Sequence, residues 1–396
     1  MTRRTETHLL GVPMRRPVQL VIVLTVFIDL LGFTVILPSL PFFAADLGAT
    51  GILYGFTVTA YSVAQFLAAP LLGRLSDLYG RRPVLLLALA GSALSLALSG
   101  AATSLGWLIA ARALAGAFGG SISVAQAYLA DAVPEERRTA AMARLGMAIG
   151  TAFVAGPALG AVLAPWGFQA SAYAAAALAA ANLVAAWLLL PEPPGRRRAP
   201  GRTGPPGTGV LLLSGTGFLT MAAFVGMETT LAFLGRDRYG WGPEAIGLAM
   251  AAAGLSMAAV QAGPVTLLAR RWGDARVAAA GAVVMAACLP VVPAGPAWLC
   301  VLAVCVLSAG NGLVTPTVAS LLAAAGPPDR RGARLGAGQS ASAFARIVGP
   351  AGAGVLFDAG VALPYVAGAG LAGLAAVTVL AARNTDALSV GQQESS

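Results

Sequence analysis

Four charged side chains lie inside long apolar stretches of this sequence. They are two carboxylates, Asp29 and Glu228, and two arginines, Arg112 and Arg346. A carboxylate in a hydrocarbon environment must face a cavity, have a partner or carry a proton, and an arginine there needs an anionic or carbonyl partner. Because a fixed cation favours the ionised form of a nearby carboxylate, such a set of residues can take up and release protons.

Each of these residues also has a purely structural interpretation. Asp29 can serve as a helix-packing hydrogen bond, and Glu228 can bind a cationic substrate, exchange a proton or pair with Arg112. The two arginines can extend toward the membrane surface or form ion pairs that only stabilise a helix bundle. We assign Asp29, Arg112 and Glu228 to proton coupling, and we expect Arg346 to organise the helix that it shares with Gly349-Pro350.

The composition is that of a membrane protein. Of 396 residues, 58% are hydrophobic and 10% are charged, whereas soluble domains average about 25% charged residues. The net charge of +9 comes from short loops and forms no basic face, so we expect no nucleic-acid partner. The only histidine, His8, lies in the N-terminal tail, and Cys288, Cys300 and Cys305 lie in apolar runs without metal-ligand spacing. We therefore expect no metal, no cofactor and no enzyme activity.

Twelve segments reach the ~20 apolar residues that a membrane helix needs. They are 18–41, 51–72, 83–102, 106–130, 140–164, 169–190, 209–234, 244–268, 277–293, 297–324, 335–356 and 361–382, here called spans 1 to 12. Twenty-one arginines fall in the tails, in alternate loops or, for Arg144, in the first turn of the span that follows such a loop, and only Arg236 and Arg238 fall in the other loops. The positive-inside rule therefore predicts that both termini lie in the cytoplasm.

The chain also divides into two similar halves. Residues 191–208, rich in proline, glycine and arginine, read as a cytoplasmic linker between six-helix bundles at 1–190 and 209–396. Motifs recur at an offset of 193 residues; for example, Gly156-Pro157 corresponds to Gly349-Pro350. The sequence thus predicts an all-α membrane protein with twelve helices in two bundles of the same topology.

The loop between spans 2 and 3 is the most specific motif. It contains Gly73, Asp77, Gly80, Arg81 and Arg82. The glycines allow a tight turn, and the carboxylate can cap a helix or pair with a neighbouring arginine. In the second copy of this loop Gly273 corresponds to Gly80, but the position equivalent to Asp77 is occupied by Arg270. The chemistry of Asp77 therefore belongs to the N-terminal half alone.

Gly73-x-Leu75-x-Asp77-x-x-Gly80-Arg81-Arg82 resembles the loop signature of the major facilitator superfamily. Three further stretches resemble its twelve-span drug/proton antiporters, the group of the tetracycline exporters: Asp29 to Pro41, Arg112 to Gly120, and Gly150-x5-Gly156-Pro157-x-x-Gly160. The last departs from the pattern at Ala161, where a glycine is usual. The resemblance implies that Asp77 belongs to a charged latch that holds the outward-facing state, and that Arg112 takes part in proton transfer. A solvated turn that only fixes topology is the plainer interpretation of the loop.

Small residues and uncharged polar residues complete the predicted site. Gly150, Gly156, Pro157 and Gly160 have close-packing spacing, which suits either ordinary helix packing or a sliding seam. Tyr61, Gln65 and Asn311 lie near mid-depth and are the first candidates for substrate contacts, although each can also make an interhelical hydrogen bond.

We therefore predict a proton-coupled exporter of a small amphipathic compound in a bacterial cytoplasmic membrane, acting as a monomer. Protons, the compound and the lipid bilayer are its expected partners. The alternative is an importer of a sugar or another small nutrient. The arginine-rich stretch after span 6 faintly resembles a motif that such importers have at that place. An assembly factor or sensor on the same scaffold is a further alternative, since a fold does not fix a function.

Overall fold

The computed structural model describes residues 16–133, 135–192, 207–325 and 331–393. Within these ranges the chain is helical and contains no strand. Its helices are α1 Arg16–Val35, α2 Leu40–Asp46, α3 Gly51–Tyr79, α4 Arg81–Gly100, α5 Leu105–Phe118, α6 Ser121–Ala132, α7 Glu135–Leu163, α8 Gly167–Leu189, α9 Thr208–Tyr239, α10 Pro243–Gln261, α11 Pro264–Trp272, α12 Asp274–Cys288, α13 Ala297–Ala324, α14 Arg331–Ala359 and α15 Leu363–Gln393.

These helices form the predicted membrane spans. In the described ranges, eleven stretches are long and apolar enough to cross a membrane. One of them, Arg144–Leu189, is 46 residues long and holds both α7 and α8. The two helices are separated by a 3-10 turn at Ala164–Trp166 and by Gly167 at φ 83°. The eleven stretches therefore hold twelve spans, and the predicted fold class is confirmed.

Three of the predicted spans are broken into two helices each. Span 1 consists of α1 and α2 and bends at Pro38, span 4 consists of α5 and α6 and breaks at Gly119-Gly120, and span 8 consists of α10 and α11 and breaks before Pro264. Proline cannot donate the backbone hydrogen bond of a helix, and glycine disfavours helical backbone. Such breaks are tolerated in a membrane where neighbouring helices satisfy the freed groups.

The two halves pack in the same way. In the N-terminal half, span 1 contacts spans 5 and 6, span 2 contacts span 4, and span 3 contacts spans 4 and 6. In the C-terminal half, span 7 contacts spans 11 and 12, span 8 contacts span 10, and span 9 contacts spans 10 and 12. The loops after spans 2 and 8 also share their geometry, since Gly80 has φ 102° and Gly273 has φ 81°. Both values lie in the left-handed region that favours glycine.

The halves meet through two seams, span 2 on span 11 and span 5 on span 8. The contacts of both seams lie at one end of the bundle, here called the sealed end, which carries Gly51 and Asp358. The opposite end, here called the arginine end, carries the loop of Gly73 and Gly80. At the arginine end, a Cβ built at Gly73, Gly146, Gly263 or Gly336 would have no described atom from elsewhere in the bundle within 4 Å, and one at Gly338 would meet only Leu322 of its own half.

A cavity of about 600 Å³ opens at the arginine end. Its lining comes from Gln19 to Phe27 of span 1 and Arg144 to Thr151 of span 5, all in the N-terminal half. This cavity lies within one half. The packed seams at the sealed end and the open space around the glycines of the arginine end together describe a bundle that is closed at the sealed end and open at the arginine end.

Candidate transport site

Arg112 lies at the centre of the N-terminal half. It is only 2% exposed, and its guanidinium carbon lies 5.1 Å from the ring centre of Phe33 and 4.8 Å from that of Tyr61. Its Nε and Nη1 atoms have no hydrogen-bond partner among the described residues. The cation is therefore stabilised by two aromatic rings, an arrangement worth about 2 kcal/mol when desolvated.

Asp29 is held by a residue at the break in span 4. The Ser121 hydroxyl donates to Oδ2 of Asp29 across 2.5 Å, and Oδ1 has no partner within the described structure. Ser121 begins α6 immediately after Gly119-Gly120, so the break places this hydroxyl against span 1. One carboxylate oxygen is thus left without a hydrogen bond at a site that is 7% exposed.

Tyr61 and Gln65 are brought together beside Arg112. The Gln65 amide donates to the Tyr61 hydroxyl across 3.2 Å and to the backbone carbonyl of Gly119 across 2.8 Å. That carbonyl is available because α5 ends at Phe118. Tyr61, Gln65, Phe33 and Arg112 therefore form one cluster at mid-depth, here called the central cluster.

Glu228 does not pair with Arg112, which was one of its open interpretations. Neither a hydrogen bond nor an ion pair joins the two in the parts of the chain that the structure describes. Glu228 is partly exposed on α9, and the charge of Arg346 acts on it. Tyr54 lies close enough to both Arg112 and Glu228 to feel their charges.

Arg346 is not buried, contrary to the expectation for a mid-span arginine. Its helix buries Ala345 and Pro350, while Arg346 itself is exposed. Its charge acts on Glu228 of the C-terminal half and on Tyr61 of the N-terminal half. The side chain therefore lies in the open space between the halves, and its predicted role in helix packing falls to its neighbours Gly349 and Pro350.

Asn311 lies apart from the central cluster. It is 6% exposed on α13, where its amide approaches the sulfur of Met257 on α10 at 4.0 Å and Thr315 on its own helix at 3.5 Å. Asparagine at this position fills a contact between two helices of the same half, so the structure gives no support for a direct role in substrate contact.

The loop motif forms an ion-pair network within the N-terminal half. Arg81 contacts Asp77 at 2.6 Å and Asp131 of α6 at 2.8 Å, and it donates to the Ser76 hydroxyl at 2.6 Å. Asp77 remains 63% exposed. Of the two roles that the sequence left open for Asp77, the structure shows the pairing with an arginine, and the partner here lies in the same loop.

Glu192, which the sequence placed in the linker, caps the helix that follows this loop. Its carboxylate accepts hydrogen bonds from the backbone amides of Arg81 at 2.6 Å and Arg82 at 3.0 Å. Arg82 in turn donates to the carbonyl of Trp187 at 2.5 Å. No local sequence pattern predicts this cap, because the two segments are 110 residues apart.

The glycine face of span 5 packs inside one half. Gly156 contacts Thr34, and Gly160 contacts Val35 and lies near Pro38, all in span 1. The matching Gly349 of span 11 faces Ala222 of span 7.

Pro157 and Pro350 are among the residues of these spans that meet the other half. A Cβ built at Gly247 of span 8 would lie 2.7 Å from the Pro157 carbonyl oxygen, and one at Gly55 of span 2 would lie 2.5 Å from that of Pro350. Gly150 has open space around it, so the predicted close packing does not extend there.

Asp358, at the end of α14, was not singled out from the sequence. Its Oδ1 accepts from the amide of Gly51 and its Oδ2 from the amide of Ile52, each at 2.9 Å. These hydrogen bonds cross from one half to the other at the sealed end. An acidic residue at the end of a span reads as a solvated terminus, so only the packing of the two spans gives it a partner.

The described residues contain no group of three or more histidine, cysteine or acidic side chains that could hold a metal ion. The chemistry available at mid-depth is that of two carboxylates, two arginines and the hydroxyl and amide groups of the central cluster.

Comparison with known proteins agrees with this architecture. A bovine major facilitator superfamily domain-containing protein 10 is 32% identical over 83% of this chain and 85% of its own length. The class C tetracycline resistance protein of Escherichia coli is 30% identical over 84% of this chain and 87% of its own length.

A crystal structure of the human organic anion transporter MFSD10 (TETRAN) superposes with a TM-score of 0.71 at 29% identity, covering 93% of this chain and all of that one. The sequence profile of the Major Facilitator Superfamily matches residues 22–266 and 213–395. With twelve spans, the loop signature and these matches over most of its length, the chain is a multi-pass membrane transporter that belongs to the major facilitator superfamily.

Proposed function

We propose that the chain is a proton-coupled secondary active exporter of a small amphipathic compound and works by alternating access. The observation that carries this proposal is the set of charges at mid-depth, Asp29, Arg112, Glu228 and Arg346, in a bundle whose halves are joined at one end and apart at the other. A fixed central site that is reached from one side at a time is what two rocking halves require.

The distribution of arginines gives the bundle its orientation in this proposal. The arginine end faces the cytoplasm of a bacterium under the positive-inside rule, so that the sealed end faces outward. The state described here is then open to the cytoplasm and closed to the outside. The protein acts as a monomer, since each chain contains both halves of the site.

Glu228 is the stronger candidate for the coupled proton. It lies partly exposed in the space between the halves, and Arg346 is the cation that acts on it. A change in the distance to that cation would change its affinity for a proton, which is how rocking of the halves can drive uptake on one side and release on the other. Asp29 is enclosed by span 4 and accepts a hydrogen bond from Ser121. Its access to protons therefore depends on the packing of the N-terminal half.

The transport cycle follows from these positions. In the outward-open state a carboxylate at Glu228 or Asp29 takes up a proton from outside. The halves rock, the latch at Asp77 releases, and the bundle reaches the inward-open state. There the proton leaves as the compound binds in the central cluster, and the return movement exports the compound.

The lining of the central cluster suits a molecule with both apolar and polar parts. Phe33 and Tyr61 stack at 4.8 Å between ring centres and offer an aromatic surface. Gln65 supplies an amide beside them. Sites that bind small molecules are typically lined by apolar and aromatic side chains with a few polar groups. The tetracycline resistance proteins among the relatives support export as the direction of transport.

The charge near the cluster favours a compound that carries an anionic group. Arg112 and Arg346 come from different halves, and both charges act on Tyr61, as does the opposite charge of Asp29. Glu228 is the carboxylate close to Arg346, and once it is protonated the two arginines have no counter-charge from it. A carboxylate or sulfonate on the compound would supply one. The relative that is described as an organic anion transporter supports the same substrate class.

Purified protein in proteoliposomes with an imposed pH gradient tests proton coupling. We expect Glu228→Gln to abolish movement of the compound that is driven by the gradient while leaving exchange of compound across the membrane intact. Asp46→Asn, at an exposed carboxylate far from mid-depth, is the control and should transport like the unmodified protein. If Glu228→Gln keeps gradient-driven accumulation, Glu228 does not carry the proton.

A panel of dyes with matched aromatic bodies and opposite charges tests the substrate class and the direction together. Export predicts that dye moves against the inward proton flow, whereas an importer would move a nutrient with it. We expect the anionic dye to be transported faster than the cationic one, and Arg346→Gln to remove that preference. Equal rates for both dyes in the unmodified protein would contradict an anionic substrate.

A further inference from the structure

The N-terminus of α3 is capped by residues from both halves of the molecule. The first backbone amides of a helix have no partner inside it and need an acceptor from elsewhere. Thr50, which precedes the helix, accepts from the amide of Leu53 at 3.4 Å. The two earlier amides, of Gly51 and Ile52, donate to the carboxylate of Asp358 at 2.9 Å each. Span 11 therefore completes a cap that span 2 cannot make alone.

The contact is favourable for two physical reasons. A carboxylate that accepts two backbone hydrogen bonds forms charge-assisted bonds, which are stronger than neutral ones. It also lies at the positive end of the helix dipole of α3. The absence of a side chain at Gly51 makes the approach possible, because a Cβ there would lie 2.5 Å from the Asp358 Oδ1.

The surrounding contacts show that this cap depends on the state of the bundle. Gly354, one turn before Asp358, lies against the backbone of Gly51 and Ile52. The Thr59 hydroxyl donates to the carbonyl of Ile347 at 2.8 Å, two turns deeper in the same seam. All three contacts join span 2 to span 11 at the sealed end. They must break when the halves separate there, and Asp358 must then be solvated.

We propose that Asp358 is a conformational latch of the sealed end, which stabilises the state that is closed there by capping α3 across the two halves. It counters the latch at Asp77, which lies near the other end of the same helix and is engaged with Arg81 of its own loop in this state. Span 2 thus has a charged residue acting at each end, and the carboxylate at the sealed end is supplied by the opposite half.

Double electron–electron resonance on the full chain tests this proposal. Nitroxide labels on Ala101→Cys and Val361→Cys, two exposed positions near the sealed end in different halves, report the separation of the halves. Cys288, Cys300 and Cys305 are replaced by alanine in the background. The measurement uses neither a proton gradient nor a transported compound, so its result is independent of the proposed export function.

We expect Asp358→Asn and Asp358→Ala to raise the ratio of open to closed sealed end about fivefold to tenfold, the size of a lost helix cap. Asp358→Glu, which keeps the charge, should give a smaller rise. Asp46→Asn, at an exposed carboxylate of the same end, should leave the ratio unchanged. Elution as a monodisperse peak in gel filtration establishes that each variant is folded.

Two outcomes would overturn the proposal. One is a ratio in folded Asp358→Ala that equals that of the unmodified protein. The other is an equal rise in Asp46→Asn, which would mean that any lost charge at this end opens the bundle.

Discussion

The two seams at the sealed end use the same backbone contact but close it differently. In each, a proline carbonyl of one half faces a glycine of the other, Pro350 on Gly55 and Pro157 on Gly247. The seam of spans 2 and 11 adds the hydrogen bonds of Asp358 and Thr59. In the described structure, no side-chain hydrogen bond crosses the seam of spans 5 and 8.

The difference can be traced to one position of the repeat. Counting back 193 residues from Asp358 gives Pro165, in the 3-10 turn after span 5. That residue lines a cavity of about 410 Å³ next to Pro243 and Glu244 at the start of span 8. Duplication thus preserved the packing of both seams and placed a helix-capping carboxylate in only one. The seam of spans 5 and 8, which has no cap, should open first, and the seam of spans 2 and 11 should open last.

The largest expected effect comes from blocking the contact that both seams share. Gly55→Val and Gly247→Val each force a side chain against a backbone carbonyl, and overpacking of this kind costs about 1–3 kcal/mol. Both variants should hold the sealed end open and lower transport at least about fivefold by the same energy scale. Gly106→Val, a helical glycine with open space around it, is the control, and transport rates in proteoliposomes are the measurement. Normal transport by Gly247→Val would mean that only one seam needs to close.

An intermediate effect is expected for the hydrogen bond that distinguishes the two seams. Thr59→Val keeps the shape of the side chain and removes the donor to Ile347, which should weaken the closed state by about 1 kcal/mol. Thr57→Val is the matched control because its hydroxyl bonds only to Leu53 in its own helix. The separation of spin labels at the sealed end is the readout. Equal shifts in the two variants would remove the special role of the Thr59 contact.

The smallest effect should follow from Ala161→Gly in the seam of spans 5 and 8. The methyl group of Ala161 would lie 2.8 Å from a Cβ at Gly247, so it fills the space that this glycine leaves. Its removal loosens the seam and costs helix propensity of about 1 kcal/mol or less. We expect a slight rise in the open fraction, measured with the same labels. A tighter seam in Ala161→Gly would show that the alanine is a hindrance to closure.

The sequence was sufficient for the spans and for part of the central cluster. Hydrophobic length and arginine spacing predicted twelve spans, and Tyr61 and Gln65 do lie together beside Arg112. Both follow from local pattern and depth. Asn311 has the same depth and polarity, but it faces a neighbouring helix of its own half, and rotation about a helix axis is set by packing that the sequence does not express.

Contacts between segments that are distant in sequence were beyond local reasoning. Asp358 and Glu192 both look like solvated acids at the ends of helices, and each caps a helix that is more than 100 residues away in sequence. The sequence left open whether the glycines of span 5 form ordinary helix packing or a sliding seam. Gly156 packs on span 1, and the next residue, Pro157, faces the other half. A shift of one residue moves a contact about 100° around a helix, which decides the half that it touches.

The break at Gly119-Gly120 has a practical consequence for mutational studies. The Gly119 carbonyl that holds Gln65 and the backbone that presents Ser121 to Asp29 are both products of this break. Alanine scanning removes side chains and leaves such main-chain groups in place, so a scan would credit Gln65 and Ser121 while missing the kink that serves both. Replacement of the Gly119–Gly120 pair by alanines, which restores helical continuity, would expose the backbone as a part of the transport machinery in its own right.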